Sequence, residues 1–222
     1  MEQTQTSQRK FVFDESNTFY ISLQNDNCRR IKMEDRFKQF NLKYTRWIAS
    51  TPLTLEDNFV SNLSELQKAC TQSHINIWKH IIENKLSYTL ILEDDAMFDK
   101  DWLNKLEKFN ISDPLLDMIL LNASEPESVT DLWVIAKEQY LNGGYILTYN
   151  GALHLIELFK TCYPVSDWMT SRLQLLGHSY VYYPWLIIQE GNYSTIGSNV
   201  DADHEKVTRC LNSINYDIKN YL

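Results

Sequence analysis

The sequence lacks the features of several large protein classes. Its 222 residues contain no run of ~20 apolar side chains, so no segment is predicted to span a membrane. Glycine and proline are scarce, with 6 and 5 residues, and no internal repeat is present, which argues against fibrous and repeat proteins. The N-terminus has no apolar core of a secretory signal, so the expected location is the cytoplasm, with a peripheral membrane or lumenal location left open.

Clustered positive charge is also missing. The chain has 21 Lys and Arg against 29 Asp and Glu, a formal net charge of -8, and its basic residues are scattered. Because nucleic-acid binding depends on basic patches, a nucleic acid is not an expected partner. The cysteines have no C-x-x-C spacing, so free thiols in a reducing compartment are predicted for all four: Cys28, Cys70, Cys162 and Cys210.

The sequence does contain enough apolar side chains for one packed domain. Hydrophobic residues make up 44% and aromatic residues 13% of the chain. We expect a flexible polar tail over residues 1–15 and a single domain over residues 16–222. Nothing in the sequence indicates the oligomeric state.

Strand and helix patterns alternate through the first half of the chain. Apolar runs predict buried strands at 19–23, 44–49 and 88–92. Between the last two, Ser64 and Gln67 form a capping-box pattern, and apolar residues follow at helical spacing to residue 82. An earlier helix is expected after Asp26. The pattern predicts an α/β fold with a central, mainly parallel sheet flanked by helices, and a second half that mixes short strands and loops.

Further along the chain the same reasoning predicts shorter elements. Helices are expected at 99–109 and 151–160, and strands at 118–121, 145–148, 181–183 and 186–188.

Three adjacent carboxylates follow the most apolar strand. Glu93, Asp94 and Asp95 come directly after residues 90–92. In open α/β sheets, ligands bind beyond the carboxyl ends of strands, and a divalent cation would relieve the repulsion among three acids. Oxygen ligands suit Mg²⁺ or Mn²⁺. We therefore predict Glu93 and Asp95 as metal ligands, with Asp94 in support. A solvated acidic turn is the alternative, and phosphatases, nucleases and phospho-acceptor domains also carry acids at strand ends.

Seven short blocks along the chain resemble, in the same order, those of glycosyltransferase family 25. That family includes bacterial lipopolysaccharide sugar transferases and collagen hydroxylysine galactosyltransferases. The resemblance extends from residue 19 to residue 196. The blocks are 20–23 with Arg29, Arg30 and Met33; 46–49; 70–75 with Trp78; 90–96; 144–147 with 151–152; 164–167; and 184–189 with 194–196.

This resemblance implies a GT-A-type fold whose second half forms the acceptor side. It implies an inverting transfer of a hexose, galactose or glucose, from a UDP-sugar donor to a glycan or a hydroxylysine-type protein acceptor. The implied cofactor is Mn²⁺ or Mg²⁺, which would neutralise the leaving diphosphate. The acceptor hydroxyl would need a carboxylate to take its proton.

The resemblance also suggests roles for individual residues. Asp167 is the candidate base, with a helix N-cap as its alternative role. Contacts with substrate are expected from Arg30, Ser73, His74, Asp94, Gln189 and Ser194. Arg30 would bind donor phosphate, with a surface position on an amphipathic helix as its alternative role, whereas Arg29 is expected to be solvated.

The histidines are less clearly placed by the sequence. By pattern alone, His74 is a core histidine on an apolar helix face, and the resemblance adds a possible site role. His178 and His204 are the candidates for a third metal ligand.

Two other functions stay open at this stage. A metal-dependent phosphohydrolase could use the same carboxylates, but it would need a nucleophilic Asp with a nearby Lys or Thr, and no such block is found. A catalytically weakened glycosyltransferase-like binding module is the other alternative. It is motivated by departures from the family pattern at Asn25, Asp26, Cys28 and Ser166.

Overall fold

The apolar strands predicted from the sequence lie side by side in one sheet. The computed structural model describes residues 10–56, 58–124, 132–191 and 204–222, with the backbone but not the side chain of residue 204. Its strands are β1 (Thr18–Ser22), β2 (Thr45–Ile48), β3 (Tyr88–Glu93), β4 (Ala96–Phe98), β5 (Met118–Leu120), β6 (Trp133–Ile135), β7 (Gly144–Thr148), β8 (Ser179–Tyr182) and β9 (Ile187–Gln189).

Seven of these strands form the central sheet, in the order β2-β1-β3-β7-β5-β8-β6. β1 pairs in parallel with β2 and β3, and β5 pairs in parallel with β8. β7 and β6 are antiparallel to their neighbours. Five strands therefore point in one direction, which confirms the predicted α/β class with a mainly parallel sheet. β4 and β9 form a separate two-stranded sheet.

The helices are α1 (Asn27–Gln39), α2 (Glu65–Asn84), α3 (Trp102–Glu107), α4 (Tyr149–Leu158), α5 (Ser166–Leu173) and α6 (His204–Ser213). The predicted capping box of α2 is confirmed, since the Ser64 hydroxyl accepts from the Gln67 N–H and the Gln67 side chain accepts from the Ser64 N–H. Asp26 caps α1 by accepting from the Arg29 N–H. No helix among the described residues is long and apolar enough to cross a lipid bilayer.

Both faces of the central sheet are buried. Successive residues of β3 point to opposite faces of the sheet. Ile91 packs with side chains of α2 and α4, whereas Leu90 and Leu92 pack with side chains of α1 and α3. This explains why residues 90–92 of β3 are all apolar, rather than every second one. A strand buried on both faces can expose functional side chains only where it ends.

Residues 11–15 belong to the packed domain rather than to a tail. The Phe11 and Tyr88 rings lie with centroids 5.1 Å apart, and Phe13 also contacts Tyr88. The backbone carbonyl of Glu15 accepts a hydrogen bond from Thr45. Residues 1–9 of the predicted tail lie outside the described residues.

Two strands were not predicted from the sequence. β4 and β6 have three residues each, too few to show a period of two. β4 matters for the site, because its antiparallel pairing with β9 places Gln189 directly opposite Ala96.

Candidate functional site

The carboxyl ends of β1, β2 and β3 border a cleft of about 390 Å³. The first half of α2 and the start of α5 contribute to its walls. The polar and charged side chains that line it and enter the argument below are Arg29, Cys70, Ser73, Glu93, Asp94, Asp95, Asp167 and Gln189. The parallel strands therefore bring the predicted acids to the sheet edge where α/β proteins bind ligands.

The acids occupy a short turn, residues 93–95, that the backbone holds at both ends. We call this segment the acidic turn. The Glu93 N–H donates to the carbonyl of Gly143 at 3.1 Å, and the Asp95 carbonyl accepts from the Glu190 N–H at 2.8 Å. The turn thus lies between the central sheet and the β4–β9 pair, and its side chains project from a fixed backbone.

Glu93 and Asp95 converge on one amide group. The Gln189 Nε2 donates to Glu93 Oε2 at 2.8 Å and lies 3.5 Å from Asp95 Oδ1. Burial and the charge of Glu93 raise the pKa of Asp95 to about 7, although Arg29 opposes the shift. The two carboxylates therefore lie close enough to repel each other, as the sequence predicted.

One guanidinium balances part of this charge. Arg29 Nη1 donates to Asp94 Oδ1 at 2.7 Å and lies 3.8 Å from Asp95 Oδ2. Burial raises the pKa of Asp94, and the hydrogen bond from Arg29 opposes that rise. Among the described residues, Arg29 is the only Lys or Arg within ion-pair distance of the acidic turn. Three carboxylates thus share a single permanent cation.

The two neighbouring arginines of α1 have different partners, and only Arg29 lines the cleft. Arg30 pairs with Glu34 at 3.3 Å and donates to Asn27 Oδ1 at 3.2 Å, outside the lining of the cleft. Consecutive residues of an α-helix point about 100° apart, so only one of the pair can face the acidic turn. The expectation that Arg29 is solvated is therefore wrong, and a donor-phosphate contact by Arg30 stays a prediction.

His74 is buried behind Glu93 in a chain of hydrogen bonds. Its Nε2 lies 3.2 Å from Glu93 Oε1, and its Nδ1 lies 2.9 Å from the Tyr145 hydroxyl. Trp78 Nε1 donates to the same hydroxyl at 2.9 Å. Burial raises the pKa of Tyr145 well above its usual range, so the phenol keeps its proton and can donate it to Nδ1. The Nε2–H then donates to Glu93, a tautomer assigned from the network.

Cys70 lies beside this chain and was not singled out from the sequence. Its Sγ, a ring nitrogen of His74 and a carboxylate oxygen of Glu93 all lie within 4.8 Å of one another. Burial, followed by the charges of Glu93 and the neighbouring aspartates, raises the pKa of the Cys70 thiol well above its usual value. The i, i+4 spacing of Cys70 and His74, which places both on one helix face, was the signal available in the sequence.

Asp167 lies on the wall of the cleft formed by α5. The N-cap of that helix is Val165, and Asp167 lies within the first turn, so the N-cap alternative for Asp167 is wrong. Burial raises the pKa of Asp167, and the charge of Glu93 adds to the rise. The structure therefore brings the candidate base and the acidic turn into one cleft.

Ser73 has a structural contact at the cleft wall. Its hydroxyl donates to the Ala69 carbonyl at 2.9 Å and accepts from the Ser50 N–H at 2.9 Å. The side chain thus ties the end of β2 to α2, and a role in binding substrate stays a prediction.

The histidine candidates for a third metal ligand have different outcomes. His178 immediately precedes β8, at the sheet edge opposite the acidic turn, and its Nδ1 lies 3.0 Å from Asp113 Oδ2. The prediction that it completes the metal site is therefore wrong. The side chain of His204 and the whole of Ser194 lie outside the described residues, so their roles stay predictions.

Comparison with known proteins places the chain in a family. The model of glycosyltransferase family 25 (LPS biosynthesis protein) matches residues 15–132. Human procollagen galactosyltransferase 2 is 32% identical over 115 residues, 45% of this chain and 18% of the relative. The lacto-N-neotetraose biosynthesis glycosyltransferase LgtE of Neisseria meningitidis serogroup B is 26% identical over 196 residues, 72% of this chain and 69% of the relative.

Other relatives differ in length and similarity. The lipooligosaccharide biosynthesis protein lic2B of Haemophilus influenzae is 28% identical over 133 residues, 56% of this chain and 46% of the relative. The chain spans less than two thirds of the length of several such relatives. A solved glycosyltransferase involved in glycosylation of the major capsid of PBCV-1 has a TM-score of 0.47 and 10% identity, covering 80% of this chain and 93% of that one. On the match of the family model to more than half of its residues, the chain belongs to glycosyltransferase family 25.

Proposed function

We propose that this chain is an inverting, metal-dependent glycosyltransferase that moves a hexose from a UDP-sugar to a glycan or a hydroxylysine-type protein acceptor. Family membership supports sugar transfer. The names of relatives, procollagen galactosyltransferase and lipooligosaccharide biosynthesis protein, make galactose the first sugar to test. The observation that carries the proposal is the convergence of Glu93 and Asp95 on Gln189 Nε2, next to Arg29.

The donor set of the acidic turn fits Mg²⁺ or Mn²⁺. Glu93 and Asp95 offer hard carboxylate oxygens, the ligands these ions prefer. Burial, followed by the charge of Glu93, raises the pKa of Asp95 to about 7, and Arg29 only partly opposes this rise. Glu93 and Asp95 would hold the cation, which when bound supplies Lewis-acid stabilisation of the leaving diphosphate.

Asp94 and Arg29 act together in this proposal. Asp94 holds the Arg29 guanidinium at 2.7 Å, so the side chain is oriented before the donor arrives. A guanidinium oriented in this way is suited to a phosphate group, because its planar fork matches phosphate oxygens and loses little side-chain entropy on binding. Arg29 therefore takes the donor-phosphate role that the sequence gave to Arg30.

Asp167 is the group proposed to take the proton of the acceptor hydroxyl. A general base works best when its pKa approaches the working pH, and burial together with Glu93 raises the pKa of Asp167 in that direction. Inversion requires the attacking hydroxyl and the leaving diphosphate on opposite sides of the anomeric carbon. Asp167 and the acidic turn belong to different walls of the cleft, which suits that arrangement.

The test is a panel of UDP-hexoses incubated with the purified chain, with and without Mn²⁺, in the presence of a lipooligosaccharide-type glycan or a hydroxylysine peptide. We expect Mn²⁺-dependent release of UDP and a glycosylated acceptor, both lost with Asp95→Asn. Absence of UDP-sugar binding in the presence of Mn²⁺ would reject the proposal. Turnover of phosphate esters without sugar transfer would favour a phosphohydrolase, and binding without turnover, unchanged by Asp95→Ala, would favour a binding module.

A further inference from the structure

We infer that Cys70, His74 and Glu93 form a second cation site, selective for a borderline-soft ion such as Zn²⁺, which overlaps the proposed Mg²⁺ or Mn²⁺ site through Glu93. Two ligands come from one face of α2 and the third from the end of β3. Their ligand atoms lie within 4.8 Å of one another. Tetrahedral Zn²⁺ separates such atoms by about 3.3–3.8 Å, so small side-chain rotations would close the site.

The donor types separate this site from the one at the acidic turn. A thiolate, an imidazole and a carboxylate are ligands found together in zinc proteins. Mg²⁺ and Mn²⁺ prefer oxygen alone, which Glu93 and Asp95 supply. Glu93 can serve either ion, whereas Cys70 favours only the softer one.

The shell behind His74 places an oxygen atom at hydrogen-bond distance from its second ring nitrogen. Zinc-bound histidines usually direct their other ring nitrogen to an oxygen acceptor, which fixes the ring. His74 Nδ1 lies 2.9 Å from the Tyr145 hydroxyl, and Trp78 Nε1 donates to the same oxygen at 2.9 Å. Binding of the ion by Nε2 would move the ring proton to Nδ1, and the Tyr145 hydroxyl would then turn to accept a hydrogen bond from Nδ1–H instead of donating to Nδ1.

The site is open to solvent from the cleft. Cys70 and Glu93 line the cleft, whereas His74 is fully buried behind them. A three-ligand site with this exposure leaves its fourth tetrahedral position for water. Burial and the nearby carboxylates raise the pKa of the Cys70 thiol, so the ion must displace the thiol proton, while the negative charge of the same carboxylates attracts the cation. Binding releases the thiol proton to solvent and forms a sulfur–zinc bond, with no change of oxidation state.

Zn²⁺ bound at this site would occupy the Glu93 carboxylate, which would then no longer hold Mg²⁺ or Mn²⁺ together with Asp95. Inhibition of sugar transfer by Zn²⁺ follows, and that consequence rests on the proposed function. Binding of Zn²⁺ does not rest on it, because it can be measured without any sugar nucleotide. The two ideas can therefore fail separately.

The test is a titration of the reduced chain with Co²⁺, whose bond to thiolate gives a charge-transfer absorption band in the near ultraviolet. We expect the band in the wild type, saturating at one equivalent and displaced by one equivalent of Zn²⁺. Cys70→Ser should abolish it. Cys162→Ser is the matched control, because Cys162 is also a half-buried free cysteine, and it should leave the band intact. No band in the wild type, or a band that survives Cys70→Ser, would overturn the inference.

Two further variants distinguish loss of a metal ligand from loss of folding. Tyr145→Phe keeps all three ligands and should weaken Zn²⁺ binding about 10-fold, the lower range seen when an outer partner of a histidine ligand is removed. His74→Gln should weaken it by more than about 100-fold. Unchanged Zn²⁺ affinity in a folded His74→Gln variant, judged by circular dichroism, would also reject the site.

The inhibition is tested with activity assays on the same proteins. Zn²⁺ should inhibit Mn²⁺-dependent transfer by the wild type and by Cys162→Ser, and excess Mn²⁺ should reverse the inhibition. Whatever activity Cys70→Ser retains should be at least about 10-fold less sensitive to Zn²⁺. Equal sensitivity of wild type and Cys70→Ser would show that Zn²⁺ inhibits elsewhere.

Discussion

The two edges of the central sheet hold acidic side chains in opposite ways. At the edge formed by the amino ends of β5 and β8, Asp117 and Asp113 each have a histidine partner. Asp117 Oδ1 lies 2.9 Å from His154 Nδ1, and Asp113 Oδ2 lies 3.0 Å from His178 Nδ1. At the other edge, the three carboxylates of the acidic turn share Arg29 and the amide of Gln189. The first edge is paired one to one, whereas the second has an excess of negative charge.

The pKa values of Asp113 and Asp95 follow this difference, whereas burial raises the pKa of Asp117 although His154 opposes the rise. Burial opposes the shift at Asp113, yet hydrogen bonds from His178, the Leu115 N–H and Tyr180 lower its pKa. At Asp95, burial and Glu93 act together and raise the pKa to about 7. One-to-one pairing stabilises a fold, whereas an acid held against its preference indicates a place for a cation or a proton. The excess negative charge at the acidic turn therefore supports the proposal that this turn holds a cation.

Asp167→Asn should have the largest effect on transfer, because it removes the proposed base. We expect kcat to fall about 10²–10⁴-fold, the usual contribution of general base catalysis. The measurement is UDP release from UDP-galactose in the presence of Mn²⁺ and acceptor. UDP affinity serves as the control and should stay unchanged, and a loss of UDP affinity equal to the loss of kcat would contradict the assignment.

Asp95→Asn and His178→Asn compare the two edges directly. Asp95→Asn should lower transfer about 10²–10³-fold, the range found when a group that stabilises transition-state charge is removed. His178→Asn removes a partner of Asp113 at the opposite edge and should leave kcat/KM unchanged. Equal losses in the two variants would show that the edges do not differ in function.

Arg29→Gln and Arg30→Gln test separately whether each of the neighbouring arginines contributes to binding of the UDP-sugar. Arg29→Gln removes a charge-assisted contact of about 1.5–3 kcal/mol, so KM for the UDP-sugar should rise on the order of 10-fold or more. Arg30→Gln breaks the half-buried pair with Glu34 and the contact with Asn27, both outside the lining of the cleft, and KM should stay close to that of the wild type. A larger effect at Arg30 would restore the original prediction from sequence.

The smallest effect is expected in the free energy of unfolding by urea, which tests the charge balance at the acidic turn. The pKa of Asp95 is raised in the fold, so the folded state binds an extra proton between about pH 4 and pH 7, and stability falls as pH rises through that window. Asp95→Asn should therefore stabilise the metal-free chain by about 1–2 kcal/mol at pH 8 and by less at pH 5.

Asp113→Asn is the matching substitution at the edge where Asp113 and Asp117 have histidine partners. The pKa of Asp113 is lowered in the fold, so its contribution to stability is present above the unfolded pKa and lost as pH falls through the folded pKa. Asp113→Asn should destabilise the chain at pH 8, opposite in sign to Asp95→Asn. A stabilising effect at both positions would contradict the comparison.

Local patterns predicted most of the elements that build the site. β3 was recognised from its uninterrupted apolar run, and α2 from a capping box followed by helical spacing, because both signals lie within short stretches of chain. The position of the acids at the end of β3 followed from the parallel sheet. Their placement in a shared cleft with Asp167 was expected only from the family resemblance.

What the sequence could not predict depends on tertiary geometry. Whether Arg29 or Arg30 faces the acidic turn is set by the rotation of α1 against the sheet, which adjacent residues do not encode. The approach of Gln189 to Glu93 depends on β4, a strand of three residues. His178 was misplaced because its position before β8, rather than its residue type, decides which edge it occupies.

Binding of UDP measured by calorimetry, with Mn²⁺ and after chelation, tests the central claim most directly. The account predicts that UDP binds the wild type in the presence of Mn²⁺ and that chelation or Glu93→Gln abolishes the binding. His178→Asn should bind UDP as the wild type does. UDP affinity that is unaffected by chelation and by Glu93→Gln would contradict the claim that the acidic turn holds the cation for a nucleotide-sugar donor.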